Sequence, residues 1–405
     1  MAARSLLHRH RQLAPTAAVY VSPLCLGGMG FGEAWASRMG ACPKPQVFAI
    51  LDHFYEKGGN FIDTANAYQN EESEQWIGEW MSLRGNRDEM VIATKYTGAY
   101  QNYKGANILK TNYGGNGSKS LKLSLEASLK KLQTSYIDLF YVHWFDFSTS
   151  IPELMLALND LITSGKVLYL GVSDSPAWVA AKANQYARDH GLRQFSVYQG
   201  LWNAATRDFE REIVPMCRDE GMGILAYGTL GKGMFQSEEA FKEREKENPG
   251  RKMLPPSEVE KKASKVLEVV AERKQSTIQA VAMQYIMHKA PYVFPLIGGR
   301  KVEHLQGNIE ALGLALDDKD MEEIDVAYGF EHGFPHEFLS GDHFSHGAPS
   351  KMAAGPQDVW LTKMLGAIDF VEPLKAITPS AEKVETDKKA QEAVQEGLKF
   401  TKEKK

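Results

Sequence analysis

Residues 137–144 read IDLFYVHW, a nearly continuous apolar and aromatic run that ends in a histidine and a tryptophan. A strand that is covered on both faces reads in this way, whereas a strand with one face in water alternates apolar and polar residues. The run therefore predicts a buried strand of a parallel sheet, with His143 at its carboxyl end.

Seven further runs of the same kind lie before and after this one in the sequence. They are VSPLCLG (21–27), NFIDTA (60–65), MVIATKY (90–96), KVLYLGVS (166–173), FSVYQGLW (195–202), GILAYG (223–228) and YVFPLIGG (292–299). Segments with helical spacing of apolar residues lie between most of them, at 46–57, 118–132, 150–164, 175–190, 207–220, 258–289 and 303–312. Ser118 is the candidate N-cap of the second segment.

This alternation favours the α/β class. About eight strand–helix units in about 300 residues predict a (β/α)₈ TIM barrel with long mouth loops and a C-terminal extension, and a doubly wound open sheet is the alternative. Two long loops, 98–117 and 231–257, interrupt the rhythm, and loops of that length in compact domains are usually functional or mobile.

The composition excludes several classes of protein. The chain has 405 residues, a net charge of −4 and a pI of about 6.3, which does not favour nucleic acid or an anionic membrane surface as a partner. Its three cysteines are far apart, without the spacing of a zinc site or a disulfide framework. No segment approaches the roughly 20 apolar residues that span a bilayer. We expect a cytoplasmic protein without a metal, monomeric or weakly homo-oligomeric.

Four parts of the chain are expected. Residues 1–12 are a flexible basic arm, for which a mitochondrial presequence is the less favoured interpretation. Residues 13–330 form the barrel, and residues 331–378 form a segment that packs near its mouth. Residues 379–405 are a charged and possibly disordered tail.

Polar residues end several of the predicted strands. Asp63 ends the second and is followed by Tyr68 in its loop, Lys95 ends the third, and His143 ends the fourth. The carboxyl ends of barrel strands meet at one mouth, where active sites of such barrels lie. These four side chains are therefore expected to be neighbours, although each taken singly is more often a cap, a surface charge or a core residue.

Their chemistry is complementary. A tyrosine hydroxyl has a pKa near 10, which a neighbouring ammonium group would lower by favouring the phenolate. Asp63 would keep Lys95 charged, and His143 would hydrogen-bond a substrate oxygen. The group would then act as a general acid for an oxygen that gains negative charge, as in the reduction of a carbonyl by hydride.

The motifs FIDTANAY, IATKY, LFYVHW, LGVSD and PLIGGRKVEHLQGNIEAL occur in the order found in the aldo-keto reductase superfamily, which the chain resembles over residues 13–330. The segments YQNEESEQWIGEWM, GKVLYLGVSDSPAWV and RDFEREIVPM resemble its fungal aryl-alcohol dehydrogenase and norsolorinic acid reductase branch. The resemblance implies the catalytic residues Asp63, Tyr68, Lys95 and His143. It also implies NADPH/NADP⁺ as the cofactor, bound without a Rossmann fold.

The resemblance also implies a set of cofactor-binding residues. Ser173, Asp174 and Gln199 match positions that hold the nicotinamide carboxamide, and Asp63 is a further cofactor-binding position. Tyr198 or a neighbour on its strand is expected to stack on the ring. The glycine clusters GGMGFG (27–32) and GTLGKG (228–233) fit neither a Rossmann fingerprint nor a P-loop. In the family they are mouth loops, and the backbone N–H groups of 228–232 are expected to line the pyrophosphate. The cofactor-binding positions expected here are Tyr227, Gly228, Leu230, Gly231 and Lys232.

The adenosine end is expected after the eighth strand. Gly298, Arg300, His304 and Asn308 match family positions around the 2′-phosphate and the adenine, and Lys301 adds positive charge, which favours NADPH over NADH. The chain departs from the common pattern at Asp174, where many members have Asn, and at Gly307, where many have Glu. The second departure puts one adenine contact in question.

Two functions follow. The first is an NADP(H)-dependent oxidoreductase that reduces an aryl aldehyde or an aromatic, polyketide-like ketone, or oxidises the alcohol. Aromatic residues that suit a flat substrate are Tyr96, Tyr100, Tyr103, Trp144 and Trp202, and Phe334, Phe338 and Phe344 of the extension are further candidates. The second is a non-catalytic NADPH-binding subunit that senses redox state for a protein partner, against which the intact catalytic set argues.

Overall fold

The computed structural model describes residues 5–237, 239–240, 256–336 and 374–379. Eight parallel strands close into a barrel in which sequence neighbours pair and the last strand pairs with the first. They are β3 (Cys25–Gly27), β4 (Phe61–Asp63), β5 (Val91–Tyr96), β6 (Ile137–Val142), β7 (Val167–Ser173), β8 (Phe195–Leu201), β9 (Gly223–Tyr227) and β10 (Val293–Ile297). The (β/α)₈ prediction is confirmed, and the open sheet is wrong.

Helices surround the barrel. Within the described residues they are α1 (Ala36–Met39), α2 (Lys44–Glu56), α3 (Glu72–Arg84), α4 (Ser118–Lys131), α5 (Ile151–Thr163), α6 (Ala177–Asp189), α7 (Phe209–Asp219), α8 (Glu258–Arg273), α9 (Ile278–Lys289), α10 (Val302–Glu310) and α11 (Asp318–Asp325). None of the described helices is long and apolar enough to cross a membrane.

Two layers of apolar side chains hold this architecture. Alternate strand residues point into the barrel, where Phe61, Leu139 and Phe294 pack together, or outward against the helices, as Phe140 does. Burying one such side chain stabilises the fold by about 1.5–3 kcal/mol. Because both faces of the strands are apolar, the runs in the sequence are continuous.

A hairpin closes the amino end of the barrel. Strands β1 (Arg11–Ala14) and β2 (Ala17–Val21) pair antiparallel. Their residues Leu13 and Val21 are fully buried and join the apolar interior of the barrel. The predicted arm therefore differs from the structure over residues 5–12, where Leu7 is also fully buried. Residues 1–4 lie outside the described part of the chain.

Two local expectations were wrong, and one helix was missed. Helix α3 was not predicted, because its buried face includes the polar Ser73 and Glu74 beside its apolar residues. The single segment 258–289 is two helices, α8 and α9, and the second begins at the N-cap Thr277. Ser118 is the first residue of α4 and not its N-cap; its hydroxyl donates to Glu153 at 3.0 Å.

The chain after α11 returns to the barrel. Phe330 lies over the guanidinium groups of Arg207 and Arg211, 4.5 and 4.7 Å from their central carbons. Arg211 also donates to the backbone carbonyl of Glu331 at 2.8 Å. These contacts fasten the start of the expected C-terminal segment beside the first turn of α7, next to the carboxyl end of β8. Residues 337–373 and 380–405 lie outside the described residues, as do the candidates Phe338 and Phe344.

Candidate active site

The four candidate catalytic residues lie at the barrel mouth, which is formed by the carboxyl ends of the strands. Asp63 is the last residue of β4, and Lys95 is the second-last of β5. His143 directly follows β6, and Tyr68 begins the turn after β4. The structure therefore brings together these residues that are distant in sequence.

A buried ion pair forms the base of the site. Lys95 is fully buried and Asp63 is 2% exposed, and their ammonium and carboxylate groups are in direct contact. The ammonium of Lys95 also donates to the carbonyl of Thr64 at 2.8 Å and lies 3.3 Å from the hydroxyl oxygen of Tyr68. The second oxygen of Asp63 accepts from the amide of Gln199 at 2.9 Å. Hydrogen bonds thus fix the orientation of both the ammonium and the carboxylate.

The protonation of this group follows from its surroundings. Burial lowers the pKa of Lys95, but Asp63 and Tyr68 outweigh it and hold that pKa above its ordinary value. Burial raises the pKa of Tyr68, and the lowering effect of Lys95 does not overcome it, since Asp63 acts in the opposite direction. The expectation of a lowered tyrosine pKa was wrong for this structure. Tyr68 is a protonated phenol at neutral pH, which is the form that a proton donor requires.

His143 is held neutral beside the phenol. Burial, with the charge of Lys95 in addition, lowers the pKa of its imidazole to about 3. The ring packs edge-on against Tyr68 with 5.8 Å between centroids. Its Nδ1 atom is buried and has no hydrogen-bond partner among the described residues. A neutral imidazole donates from one ring nitrogen, so His143 is suited to bind a substrate oxygen.

The turn that follows the tyrosine is left-handed over three consecutive residues that are not glycine. Gln69, Asn70 and Glu71 have φ values of 51°, 51° and 83°, a conformation that costs energy unless neighbours hold it. Trp35 donates to Gln69 from its backbone at 2.8 Å and to Asn70 from its indole at 3.2 Å. Tyr103 donates to Glu71 at 2.7 Å. Loops on both sides therefore fix this turn, whose left-handed conformation no sequence motif predicts.

Hydrogen bonds of the Asn116 side chain fix the loop that carries His143. The side chain of Asn116, which is fully buried, donates to the Thr97 hydroxyl at 2.9 Å and to the Trp144 carbonyl at 3.0 Å, and accepts from the Asp146 backbone at 2.7 Å. The backbone N–H of His143 donates to the same Thr97 hydroxyl at 3.3 Å. The long loop after β5 is thus tied to the loop after β6.

The predicted cofactor residues on β7 and β9 line the same mouth. The hydroxyl of Ser173 is buried without a hydrogen-bond partner among the described residues. Asp174 has φ +39° and is exposed in the mouth, where the hydroxyl of Tyr227 lies 3.1 and 3.2 Å from its two oxygens. The walls of the mouth partly desolvate this carboxylate, which raises the pKa of Asp174. These groups offer a hydroxyl, a carboxylate and a partly exposed ring to a ligand, which fits a nicotinamide with its carboxamide.

Tyr198 is not available for stacking. It lies between two inward residues of β8 and points outward, where its ring packs on Phe209 with 5.4 Å between centroids. Its hydroxyl bonds to the backbone of Ser175, from whose N–H it accepts at 3.0 Å. The expectation for this residue was wrong because side chains alternate along a strand. Tyr227 at the end of β9 presents its ring to the mouth instead.

The loop after β9 begins with a short turn. The N–H of Gly231 donates to the carbonyl of Gly228 at 2.9 Å and is therefore not free for a phosphate. Lys232 has φ +52° and is exposed, while Leu230 is half-buried against the outer core. Of this group, Lys232 is the one that offers a charge to an anionic ligand.

The residues after β10 surround a small depression. It is lined by Leu26, Ile50, Ile297, Gly298, Gly299, Lys301, Leu305 and Asn308. Helix α10 begins here, and its N-cap Lys301 makes no side-chain capping bond. Among the described residues, no carboxylate lies within ion-pair distance of Arg300 or Lys301. His304 is exposed in the first turn of α10. Two cations and an uncapped helix N-terminus suit a phosphate group.

The aromatic candidates divide into two sets. Tyr96, Tyr100 and Trp202 are buried and belong to the core, so their assignment to a substrate surface was wrong. Trp144 and Tyr103 are 41% and 48% exposed. Phe334 is 86% exposed. Trp35 was missed by the sequence analysis, although its ring packs edge-on against Tyr68 with 6.3 Å between centroids.

Comparison with known proteins gives the setting of this site. Residues 23–328 match the model of the aldo/keto reductase family. Norsolorinic acid reductase B of Dothistroma septosporum is 62% identical over 92% of this chain and 95% of its own length. The protein of that name from Aspergillus parasiticus is 58% identical over 92% and 98%. A putative aryl-alcohol dehydrogenase of Saccharomyces cerevisiae is 50% identical over 83% and 91%.

Proposed function

This chain belongs to the aldo/keto reductase family and is therefore a carbonyl-reducing enzyme with a nicotinamide cofactor, and we propose that it uses NADPH to reduce an aromatic, polyketide-like aldehyde or ketone. The observation that carries the proposal is the protonated Tyr68 between the buried Lys95–Asp63 pair and the neutral His143. We assign the catalytic barrel to residues 13–330.

The residues of the site have separate roles. A bound nicotinamide supplies the hydride that reduces the carbonyl carbon. Tyr68 gives its proton to the carbonyl oxygen, and His143 donates a hydrogen bond to the same oxygen and orients it. The ammonium of Lys95 stabilises the phenolate that remains, and Asp63 keeps that ammonium charged and directed at the phenol. Ser173, Asp174 and Tyr227 form the wall on which the nicotinamide would lie.

The choice of NADPH rests on the charges after β10. Arg300 and Lys301 stand beside the uncapped start of α10, and a guanidinium group binds phosphate oxygens bidentately. Arg300→Met should raise the KM for NADPH and leave the KM for NADH nearly unchanged. Equal effects on both cofactors would contradict this assignment, because they differ only in the 2′-phosphate.

The substrate class rests on the walls beside the acid. Trp35 and Trp144 flank the pair of Tyr68 and His143 and present flat rings, which favour an aromatic substrate. The names of the relatives refer to norsolorinic acid and to aryl alcohols. We propose the same classes of compound for this chain.

The test is the steady-state oxidation of NADPH, and separately of NADH, with aromatic and aliphatic aldehydes and an anthraquinone ketone. Tyr68→Phe should keep the affinity for NADPH and lower turnover by about 10²–10⁴-fold. Tyr55→Phe removes a hydroxyl that donates to Glu89 on the surface and is the matched control. Unchanged turnover in Tyr68→Phe would refute the mechanism. Tight NADPH binding without turnover on any substrate would favour the non-catalytic alternative.

A further inference from the structure

We propose that Asp174 determines the redox state of the cofactor that this site prefers: its carboxylate binds the oxidised nicotinamide more tightly, relative to the reduced form, than a neutral residue would. The inference rests on the proposed function for the presence of a nicotinamide at the mouth. It concerns the charge of Asp174, and not only its hydrogen bonds, as a determinant of the relative affinity for the two forms of the cofactor.

Asp174 is a carboxylate without a cation in contact. Among the described residues, no Lys, Arg or His nitrogen lies within ion-pair distance of it, and its side-chain partner is the neutral hydroxyl of Tyr227, at 3.1 and 3.2 Å. Its backbone N–H donates to the carbonyl of Gln199 at 3.2 Å, which fixes it in the left-handed conformation at φ +39°. The carboxylate is therefore held in the mouth with its charge unneutralised by contact.

The carboxylate is a neighbour of the reacting groups. Gln199, whose carbonyl accepts from the backbone N–H of Asp174, donates from its side chain to Asp63 at 2.9 Å, so one residue links Asp174 to the buried pair. Lys95 and Lys232 are cations that act on the carboxylate of Asp174 from a distance. Lys95 is already paired with Asp63. In a carbonyl reduction, hydride and proton reach the two ends of one C=O bond. A ring that supplied the hydride would therefore have to reach the carbonyl that Tyr68 protonates, and Asp174 and Tyr227 would hold it at the mouth.

The two forms of the cofactor differ in charge at this point. The dihydronicotinamide ring is neutral, and the oxidised ring carries a positive charge. A carboxylate in the mouth attracts the oxidised ring, whereas an amide of the same shape does not. At an effective dielectric constant of about 20, one unit charge a few ångströms away changes relative affinity by about tenfold or more.

The experiment compares the dissociation constants of NADP⁺ and NADPH by titration calorimetry in the wild type and in Asp174→Asn. We expect the ratio of the constant for NADP⁺ to that for NADPH to rise about tenfold in the variant. Asp174→Gly, which removes the carboxylate and accepts a positive φ, should change the ratio in the same direction. Asp160→Asn changes the net charge equally on the exposed face of α5 and should leave the ratio unchanged.

The outcomes separate the inference from the function on which it rests. An unchanged ratio in both Asp174 variants, or a loss of affinity by the same factor for both forms, would overturn the inference and leave the proposed function intact. Failure of the wild type to bind either form would overturn both. A ratio that shifts as much in Asp160→Asn would also overturn the inference, because net charge alone would then account for it.

Discussion

Replacing Lys95 by Met should destabilise the protein through the partner that remains. Lys95 is fully buried, and its ammonium contacts the carboxylate of Asp63, which is 2% exposed. The methionine fills a similar volume but leaves this carboxylate buried without its counter-charge. Of the side-chain bonds to Asp63 described above, the one from Gln199 would remain.

The magnitude follows from the burial of the pair. Removing one partner of a buried ion pair costs about 3–5 kcal/mol in the free energy of unfolding. For a chain of 405 residues, whose unfolding entropy at Tm is large, that corresponds to a fall in Tm of roughly 3–6 °C. The double variant Asp63→Asn/Lys95→Met removes both charges and should recover about half of the loss or more. Turnover should be lost in both variants, because each lacks the ammonium beside Tyr68.

Urea unfolding followed by tryptophan fluorescence measures these differences, since the chain has seven tryptophans. The single variant, the double variant and Asp63→Asn complete a thermodynamic cycle with the wild type. The reasoning fails if Lys95→Met is as stable as the wild type. It also fails if the double variant is less stable than Lys95→Met, because the buried charge would then not be the cause.

Three further predictions concern other parts of the site. The rate of carbonyl reduction should stay level from pH 5 to 9 and decline only above the ordinary tyrosine range near 10, because burial raises the pKa of Tyr68 and the proton donor is the phenol; an inflection near pH 6.5 would contradict the pKa of about 3 at His143. Gly40→Ala should raise the KM for NADPH and not for NADH, since Gly40 has φ +77° and an added Cβ would overlap the guanidinium of Arg300; equal KM changes for both cofactors would refute this. Asn116→Ala should lower the free energy of unfolding by about 2–4 kcal/mol and reduce kcat, because it releases the loop that carries His143. Urea denaturation and steady-state kinetics measure the two effects, and a variant with unchanged stability and kcat would contradict this role.

The strands, and the meeting of the candidate site residues at the mouth, could be predicted from the sequence for one physical reason. Parallel strands that are covered on both faces appear as continuous apolar runs, and the polar residue that ends each run lies at the mouth. Asp63, Lys95 and His143 each lie at the end of such a run. Helix α3 was missed because Ser73 and Glu74 on its buried side obscure the apolar period.

Other features of the site depend on contacts between distant segments, which the sequence of one segment does not indicate. The direction of Tyr198 is decided by the register of β8, in which a shift of one residue exchanges the interior for the helix layer. The pKa of Tyr68 depends on the balance between burial, Lys95 and Asp63, and the sequence indicates the neighbours but not the degree of burial. Trp35 lies far along the chain from the turn that it holds.

The hairpin that closes the amino end of the barrel has a consequence for biosynthesis. Residues 11–21 are synthesised before any barrel strand, yet the surface that receives them includes Leu225 and Phe294, which are added more than 200 residues later. The carbonyl of Gly221 accepts from both the backbone and the hydroxyl of Thr16, across about 200 residues of chain. During synthesis the apolar side chains of the hairpin therefore stay exposed until β10, the last barrel strand, has emerged from the ribosome. A chaperone that binds short apolar segments could bind them during that interval.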